Sequence, residues 1–289
     1  MKVLIFGASG MLGHVMYERL SASENLEVYG TLRSATLKSR FPSDLQSRLI
    51  DGVFIDDMDG IANLISSKRP DVVINCVGLV KQLAESNDPL LILPTNSLFP
   101  HQLSRLCKQF GARLVQISTD CVFSGERGNY CEEDVPDAID LYGRSKWIGE
   151  VVADHAVTIR TSIIGRELSS PHSLVEWFLD QSGNVKGYTK AMFSGLPTVE
   201  LSTVIRDVIL TKPELYGLFH IASSPISKHD LLHLVSVVAG KTCRITEDES
   251  LVINRTLNPE KFQRYTGYSS PDWRVLVERM LNYNAFTYV

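Results

Sequence analysis

Short apolar runs recur through the first part of the chain, near residues 2–6, 26–30, 49–55, 71–77, 112–118 and 156–161, with helical stretches between them. A continuous apolar run bounded by turn residues reads as a strand buried on both faces, and strands alternating with helices imply a parallel, doubly wound sheet. Pro89, Pro94 and Pro100 break the start of the fourth connection, so an irregular wall is expected there before helix resumes from His101 to Phe110. Beyond residue 161 the pattern loosens into helices near 173–182, 199–210, 228–239 and 271–283, with short strands near 217–221 and 242–246. No repeat, low-complexity tract or linker divides the chain. Residues 1–161 are therefore expected to form a nucleotide-type sheet domain, and residues 162–289 mainly a smaller α/β lobe packed on it, with an approximate boundary that allows interleaving.

Composition narrows the class. At 289 residues and 44% apolar content the chain can bury a large core. Its net charge of −4 comes from interspersed acids and bases, which argues against nucleic acid as a partner. The longest uncharged apolar stretch, from Val72 to Val80, contains Asn75 and Gly78 and is too short to span a bilayer. With the first strand beginning at Lys2, the expectation is a cytoplasmic protein with no membrane partner. Cysteines 76, 107, 121, 131 and 243 form no C-x-x-C pair or zinc spacing, and an odd number makes a poor disulfide framework, so reduced thiols are expected. His14, His101, His155, His220, His229 and His233 share no ligand spacing, and no metal is expected.

The first candidate chemistry lies at the amino terminus, where the run Lys2-Val3-Leu4-Ile5-Phe6 breaks at Gly7-Ala8-Ser9-Gly10-Met11-Leu12-Gly13. Strand, tight turn and helix follow in the order that a Rossmann dinucleotide fingerprint demands. The glycines let the backbone turn and approach a pyrophosphate, and the next helix offers its N-terminal amides to the phosphates. Gly7, Ser9, Gly10, Met11, Leu12 and Gly13 are the candidate cradle. After the second strand an NAD site usually carries an acid for the ribose 2′-hydroxyl, but this chain has Arg33 and Ser34. Arg33 can pair bidentately with a 2′-phosphate and Ser34 can add a donor, which favours NADP(H); the alternative is a solvated loop arginine.

The second lies in Tyr142-Gly143-Arg144-Ser145-Lys146, with Thr119 upstream. Positions i and i+4 share a helix face, so the Lys146 ammonium can sit near the Tyr142 phenol. A phenol titrates near 10, and a proton donor working near neutrality needs a shift of roughly 3 units, about 4 kcal/mol, part of which a nearby cation supplies. Thr119, Tyr142 and Lys146 together read as a hydroxyl and proton relay for hydride transfer; Tyr and Lys on an ordinary amphipathic helix are the plain alternative.

Several ordered segments carry a resemblance. Ile117-Ser118-Thr119-Asp120-Cys121-Val122-Phe123-Ser124-Gly125, Tyr130-Cys131-Glu132-Glu133-Asp134, Leu141 to Lys146 and Gly149-Glu150 resemble the extended short-chain dehydrogenases, specifically the dTDP-4-dehydrorhamnose reductases. Pro70 to Asn75, Ile159 to Ser162, Gly195 to Thr198, Gly217 to His220 and Arg255 to Leu257 fall where that family has similar segments, so the resemblance covers the whole chain. It implies NADPH-dependent reduction of the 4-keto group of a nucleotide-linked 6-deoxy-4-ketohexose, for deoxysugar and surface polysaccharide precursors, with Thr119, Tyr142 and Lys146 as the triad. Lys146 would also anchor the nicotinamide ribose. It further implies cofactor contacts from Cys76, Val77 and Gly78 after Asn75, from Asp56, taken to end the third strand and reach the adenine amine, and from Asp57. Val80, Asp120, Cys121, Ile163 and His172 would face the substrate. The family sometimes uses magnesium for dimerisation; no acid cluster identifies such a site here, and a homodimer remains open.

Two departures bear on the substrate. The family usually has Tyr after Ser-Thr-Asp and Trp after Arg-Thr-Ser, both beside the sugar, whereas this chain has Cys121 and Ile163. An N-acetylated or otherwise substituted 6-deoxy-4-keto sugar on UDP, dTDP or GDP fits as well as the rhamnose precursor. Cys121 and His172 also fall where GDP-fucose synthase has its epimerising pair, and could form an acid/base couple beside an acidic C–H; a small buried thiol and a capping histidine are the alternative. A dehydratase is disfavoured, because Cys121 stands where those relatives need a second carboxylate. The fold can also serve as an NADP-binding regulatory subunit, as in the beta subunit of methionine adenosyltransferase.

Overall fold

Strand β1 (Lys2–Phe6) carries Val3, Leu4, Ile5 and Phe6, all fully or almost fully buried, which is possible only where both faces of a sheet are covered. In the computed structural model, which describes residues 1–81, 87–168 and 173–283, β1 is an interior strand of a seven-stranded sheet. The others are β2 (Glu27–Thr31), β3 (Leu49–Ile50), β4 (Val72–Asn75), β5 (Arg113–Ile117), β6 (Ala156–Arg160) and β7 (Gly217–His220). Their order is β7-β6-β5-β4-β1-β2-β3, and every pair is parallel. The winding therefore reverses between β1 and β4, and the crevice at the carboxyl ends of those strands is where such folds bind ligands.

Alternate strand residues feed two cores. Val3, Ile5, Val28, Ile74, Val115 and Val157 pack with Leu12, Met16 and Leu20 of helix α1 (Met11–Ser21). Leu4, Phe6, Val73 and Leu114 pack with Ile61 and Ile65 of α2 (Met58–Lys68) and with Phe99, Leu103 and Cys107 of α3 (Phe99–Phe110). Helix α4 (Leu141–Ile148) lies beyond the end of β5. The second region adds α5 (Thr198–Val204), which packs on α1, and a parallel strand pair, Asn184–Tyr188 with Arg244–Asp248. Among the described residues no helix is long and apolar enough to cross a membrane.

Two expectations need correction. The third strand stops at Ile50 instead of continuing to 55, because the chain turns away at Gly52, so Asp56 does not end a strand but lies exposed in the loop before α2. The proline-rich stretch is helical: Pro89–Ile92 opens after the Asp88 side chain accepts from Leu90 N, and a wide π-type turn, Leu93–Leu98, leads into α3. Pro89 stands at the first position, where an amide has no helical partner, whereas Pro94 and Pro100 lie within a continuous helical run that widens into the π-type turn. The short strand expected near 217–221 is present as Gly217–His220, the edge of the main sheet paired with β6, so the sheet draws a strand from beyond residue 161.

Candidate active site

The glycine turn is built by close approach. Gly7 takes φ 79°, Gly10 N donates to Gly7 O, and Ala8 N and Gly7 N donate to the backbone and hydroxyl of Thr31 at 3.0 and 3.2 Å, fixing the turn to β2. A Cβ on Gly13 would lie 2.0 Å from Gly7 O, so α1 can start this close only with glycine there. No side chain caps α1 and no acid lies in its first turn, which leaves its leading amides and positive dipole end to an anion. On the other side a Cβ on Gly7 would stand 3.1 Å from both Cγ2 and N of Val77, so Cys76, Val77 and Gly78 form the facing wall. The residues present fit a dinucleotide pyrophosphate.

Arg33 follows β2, exposed and without an ion pair among the described residues. Ser34 is engaged as a cap, its hydroxyl accepting from Thr36 N at 3.3 Å. Asp57 is used the same way, accepting from Gly60 N at 2.9 Å and starting α2. The acid directly after β3 is Asp51, held by Lys38, whose contact keeps the carboxyl below its usual range.

Helix α4 carries Tyr142 and Lys146 into the same crevice. Asp140 caps it, accepting from Gly143 N at 2.8 Å while Lys81 Nζ pairs with its other oxygen at 2.8 Å. A Cβ on Gly143 would fall 2.2 Å from Cys121 O, so the glycine lets the helix rest directly on the short turn Asp120–Val122. This contact brings Tyr142 near Thr119, whose hydroxyl donates to Asp120 Oδ1 at 3.2 Å, accepts from Cys121 N at 3.1 Å and draws the phenol pKa down. Lys146 Nζ donates to Ile117 O at 2.8 Å, and a Cβ on Gly78 would lie 3.8 Å from it. Thr119 and the Lys146 amine thus both lie at the end of β5, with Tyr142 one turn before Lys146 on α4 and Gly78 of the facing wall beside the amine.

The electrostatics differ from the expectation for the free protein. Burial pushes the Tyr142 phenol up, as do the neighbouring acidic groups Cys121, Asp120 and Asp140, and the Thr119 hydrogen bond works against them. Desolvation brings Lys146 down to about 8, opposed by Glu150 and Cys76. Lys146 is 8% exposed, and its amine is committed to Ile117 O rather than to the phenol. Burial also drives Cys121 up to about 12 and raises Asp120, with Arg255 pulling both the other way.

Other expected residues are placed less centrally. Val80 is exposed beside Lys81, and Ile163 is partly buried against the core, paired with Leu196. His172 lies outside the described residues. Sequence reasoning missed Asn96, whose buried amide accepts from Leu79 N at 2.9 Å and donates to Leu79 O and Ser145 Oγ, joining the Cys76–Gly78 wall to α4. It also missed Arg255, whose Nε donates to Phe123 O at 2.7 Å beneath Asp120 and Cys121. Neither carries a local signal, since both work through partners remote in sequence. All five cysteines are free thiols, and no group of three or more potential ligands among the described residues could hold a metal.

The parallel sheet, the glycine turn and the Thr119/Tyr142/Lys146 cleft define an extended short-chain dehydrogenase/reductase. The match is to a specific branch of that class: the chain belongs to the RmlD substrate binding domain family, whose model matches residues 1–285. It is similar to dTDP-4-dehydrorhamnose reductase of Salmonella typhimurium, 26% identical with 97% of each chain covered. The rat methionine adenosyltransferase 2 subunit beta is 30% identical over 52% of this chain and 41% of its own length. Among solved structures, a hypothetical dTDP-4-dehydrorhamnose reductase from Sulfolobus tokodaii superposes with TM-score 0.79 at 25% identity, over 94% of this chain and 98% of its own. The Bacillus anthracis dTDP-4-dehydrorhamnose reductase, solved in complex with NADP, shares the fold with TM-score 0.81 at 21% identity, with 97% of each chain covered.

Proposed function

We propose that this protein is an NADPH-dependent reductase of the 4-keto group of a nucleotide-linked 6-deoxy-4-ketohexose, working in the cytoplasm to supply a deoxysugar for surface polysaccharide. Bound NADPH supplies the hydride. Gly7, Ser9, Gly10, Met11, Leu12 and Gly13 hold the pyrophosphate at the start of α1, and Cys76, Val77 and Gly78 form the wall behind the nicotinamide end. Arg33 takes the 2′-phosphate. The Thr119 hydroxyl hydrogen-bonds the ketone oxygen, and Tyr142 gives its proton to the alkoxide that develops there. Lys146 holds the ribose hydroxyls.

The observation that carries this reading is the seating of α4 on the end of β5, with Gly143 against Cys121 O, Tyr142 near Thr119, and Lys146 Nζ donating to Ile117 O at 2.8 Å close to Gly78. Cys121 and Ile163 leave a pocket of altered shape, so a sugar larger than the rhamnose precursor suits the site equally well. Self-association of two copies would use the exposed Leu98, Trp147 and Ile148 on adjoining helices. The test is NADPH oxidation by the purified protein, with no partner added, against a panel of 4-keto-6-deoxy sugars carried on dTDP, UDP and GDP. Turnover of one or more is expected. NADPH binding with no turnover of any of them would favour a regulatory role of the kind held by the methionine adenosyltransferase subunit.

A further inference from the structure

One buried ion pair stands directly behind the Thr119, Tyr142 and Lys146 cluster. Arg160, at the end of β6, and Glu150, just past α4, have side chains 3% and 7% exposed and meet in a bidentate contact: Nε to Oε1 at 2.7 Å and Nη2 to Oε2 at 2.8 Å. A pair this deep is costly to desolvate and is retained best where its remaining lone pairs and protons are satisfied. Here they are. Ser118 Oγ donates to Glu150 Oε1 at 2.7 Å, and Arg160 Nη1 stands 3.4 Å from Nε2 of His220, which burial and Arg160 hold neutral.

The position of Ser118 gives the pair its consequence. Residues 117, 118 and 119 leave the end of β5 in succession: the carbonyl of Ile117 receives Lys146 Nζ, the hydroxyl of Ser118 goes to Glu150, and the hydroxyl of Thr119 meets Tyr142. Tyr142, Lys146 and Glu150 follow one another at four-residue spacing along and just past α4. Two of these rungs are structural clasps and the third is the reacting pair. The groups that face Lys146 are Glu150 just past its own helix, the Cys76 thiol after β4, the uncharged Ile117 carbonyl from β5, and, through Glu150, Arg160 on β6.

We propose that Glu150, oriented by Arg160, is a positioning residue for the active site: it fixes α4 in register on the end of β5, so that Tyr142 meets Thr119, and supplies the counter-charge for the Lys146 ammonium. The inference rests on the proposed reductase reading for the roles of those three residues. Its charge half needs only cofactor binding, so it is separable from the identity of the sugar.

The test begins with NADPH affinity as a function of pH, from 6.5 to 9.5, by fluorescence titration of the purified protein. Wild type should weaken as pH rises through about 8, the value at which Lys146 loses its proton. Lys146→Met should abolish that limb, which assigns it. Glu150→Gln removes the counter-charge and leaves Arg160 uncompensated nearby, so the limb should move to lower pH by roughly half a unit to one unit. Should Glu150→Gln fail to fold, Ser118→Ala keeps the ion pair and removes only the tether. That variant should keep the limb in place and lose roughly tenfold in kcat, at unchanged KM, on whichever ketone wild type reduces. A folded Glu150→Gln with the wild-type limb, or Ser118→Ala with wild-type kcat, would overturn the proposal. A wild type that binds NADPH but reduces no sugar would instead count against the function, leaving the affinity limb to decide the role of Glu150.

Discussion

Lys146 holds a charge where charge is expensive, and replacing it should make the protein more stable while removing its function. The residue is 8% exposed, and burial, which disfavours the ammonium, brings its pKa from 10.5 down to about 8. For a lysine whose folded pKa lies below its unfolded one, the folded state binds the proton more weakly. The cost is full below about pH 8, shrinks as pH rises through that value, and vanishes above 10.5. A gap of about 2.5 units at about 1.36 kcal/mol each corresponds to about 3 kcal/mol at pH 7 and about 1 kcal/mol at pH 9.5. Lys146→Met removes this term and fills similar volume, at the loss of the hydrogen bond to Ile117 O, a term of about 1 kcal/mol. Urea unfolding of the cofactor-free protein should therefore show the variant more stable at pH 7 by about 2 kcal/mol, with the advantage falling by about 2 kcal/mol at pH 9.5. Turnover and tight NADPH binding should be lost in the same variant. A variant no more stable than wild type at pH 7, or a difference that does not change with pH, would refute the claim that Lys146 is a desolvated ammonium.

Other substitutions probe the rest of the cleft. Arg33→Ala should cost about 1.5–3 kcal/mol of NADPH binding and leave NADH binding nearly unchanged; equal losses for both would remove the 2′-phosphate role. Tyr142→Phe should bind NADPH normally yet turn over several orders of magnitude more slowly in single-turnover assays, and near wild-type turnover would show that another group protonates the alkoxide. Gly13→Ala puts a carbon 2.0 Å from Gly7 O, so α1 must retreat from the turn, and calorimetric NADPH affinity should fall by at least tenfold; wild-type affinity would mean that the turn does not hold the pyrophosphate.

Much of this arrangement is written in local pattern. The buried strands, the glycine turn and the Tyr142/Lys146 spacing are legible because each depends on residues a few positions apart. What escaped depends on partners far along the chain or on how an element ends. Asn96 is an ordinary helical amide until Leu79 and Ser145 meet it, and Glu150 acquires meaning through Ser118 and Arg160. Pro94 reads as a breaker, yet a wide π-type turn accommodates it, and no apolar periodicity reports such a turn. The resemblance puts Asp56 on the adenine side at the end of the third strand, and the strand's early end leaves Asp51 nearest its tip. The field of Lys146 on Tyr142 was likewise inferred from spacing alone, which says nothing of the Ile117 carbonyl that claims the amine.

Whether the protein also moves protons on carbons beside the ketone turns on Cys121. An epimerising couple needs one member to act as base, and a thiol does so as thiolate. Burial and the neighbouring Asp120 hold Cys121 at about 12, so at pH 8 the thiolate fraction is on the order of 10⁻⁴. The same thiol lies beside Tyr142, where a negative charge would oppose the one that develops as the phenol gives up its proton. A cysteine placed to serve as base would be expected to have a cation drawing it down, but the pull of Arg255 and Lys81 is weaker here than desolvation. Reduction in deuterated water should then leave the ring carbons next to C4 unlabelled beyond the non-enzymatic rate, as read by NMR of the product, and Cys121→Ser should retain most turnover. Enzyme-dependent label at C3 or C5 that disappears in Cys121→Ser, with hydride transfer to a pre-epimerised ketone intact, would overturn this and make Cys121 the base of an epimerase-reductase.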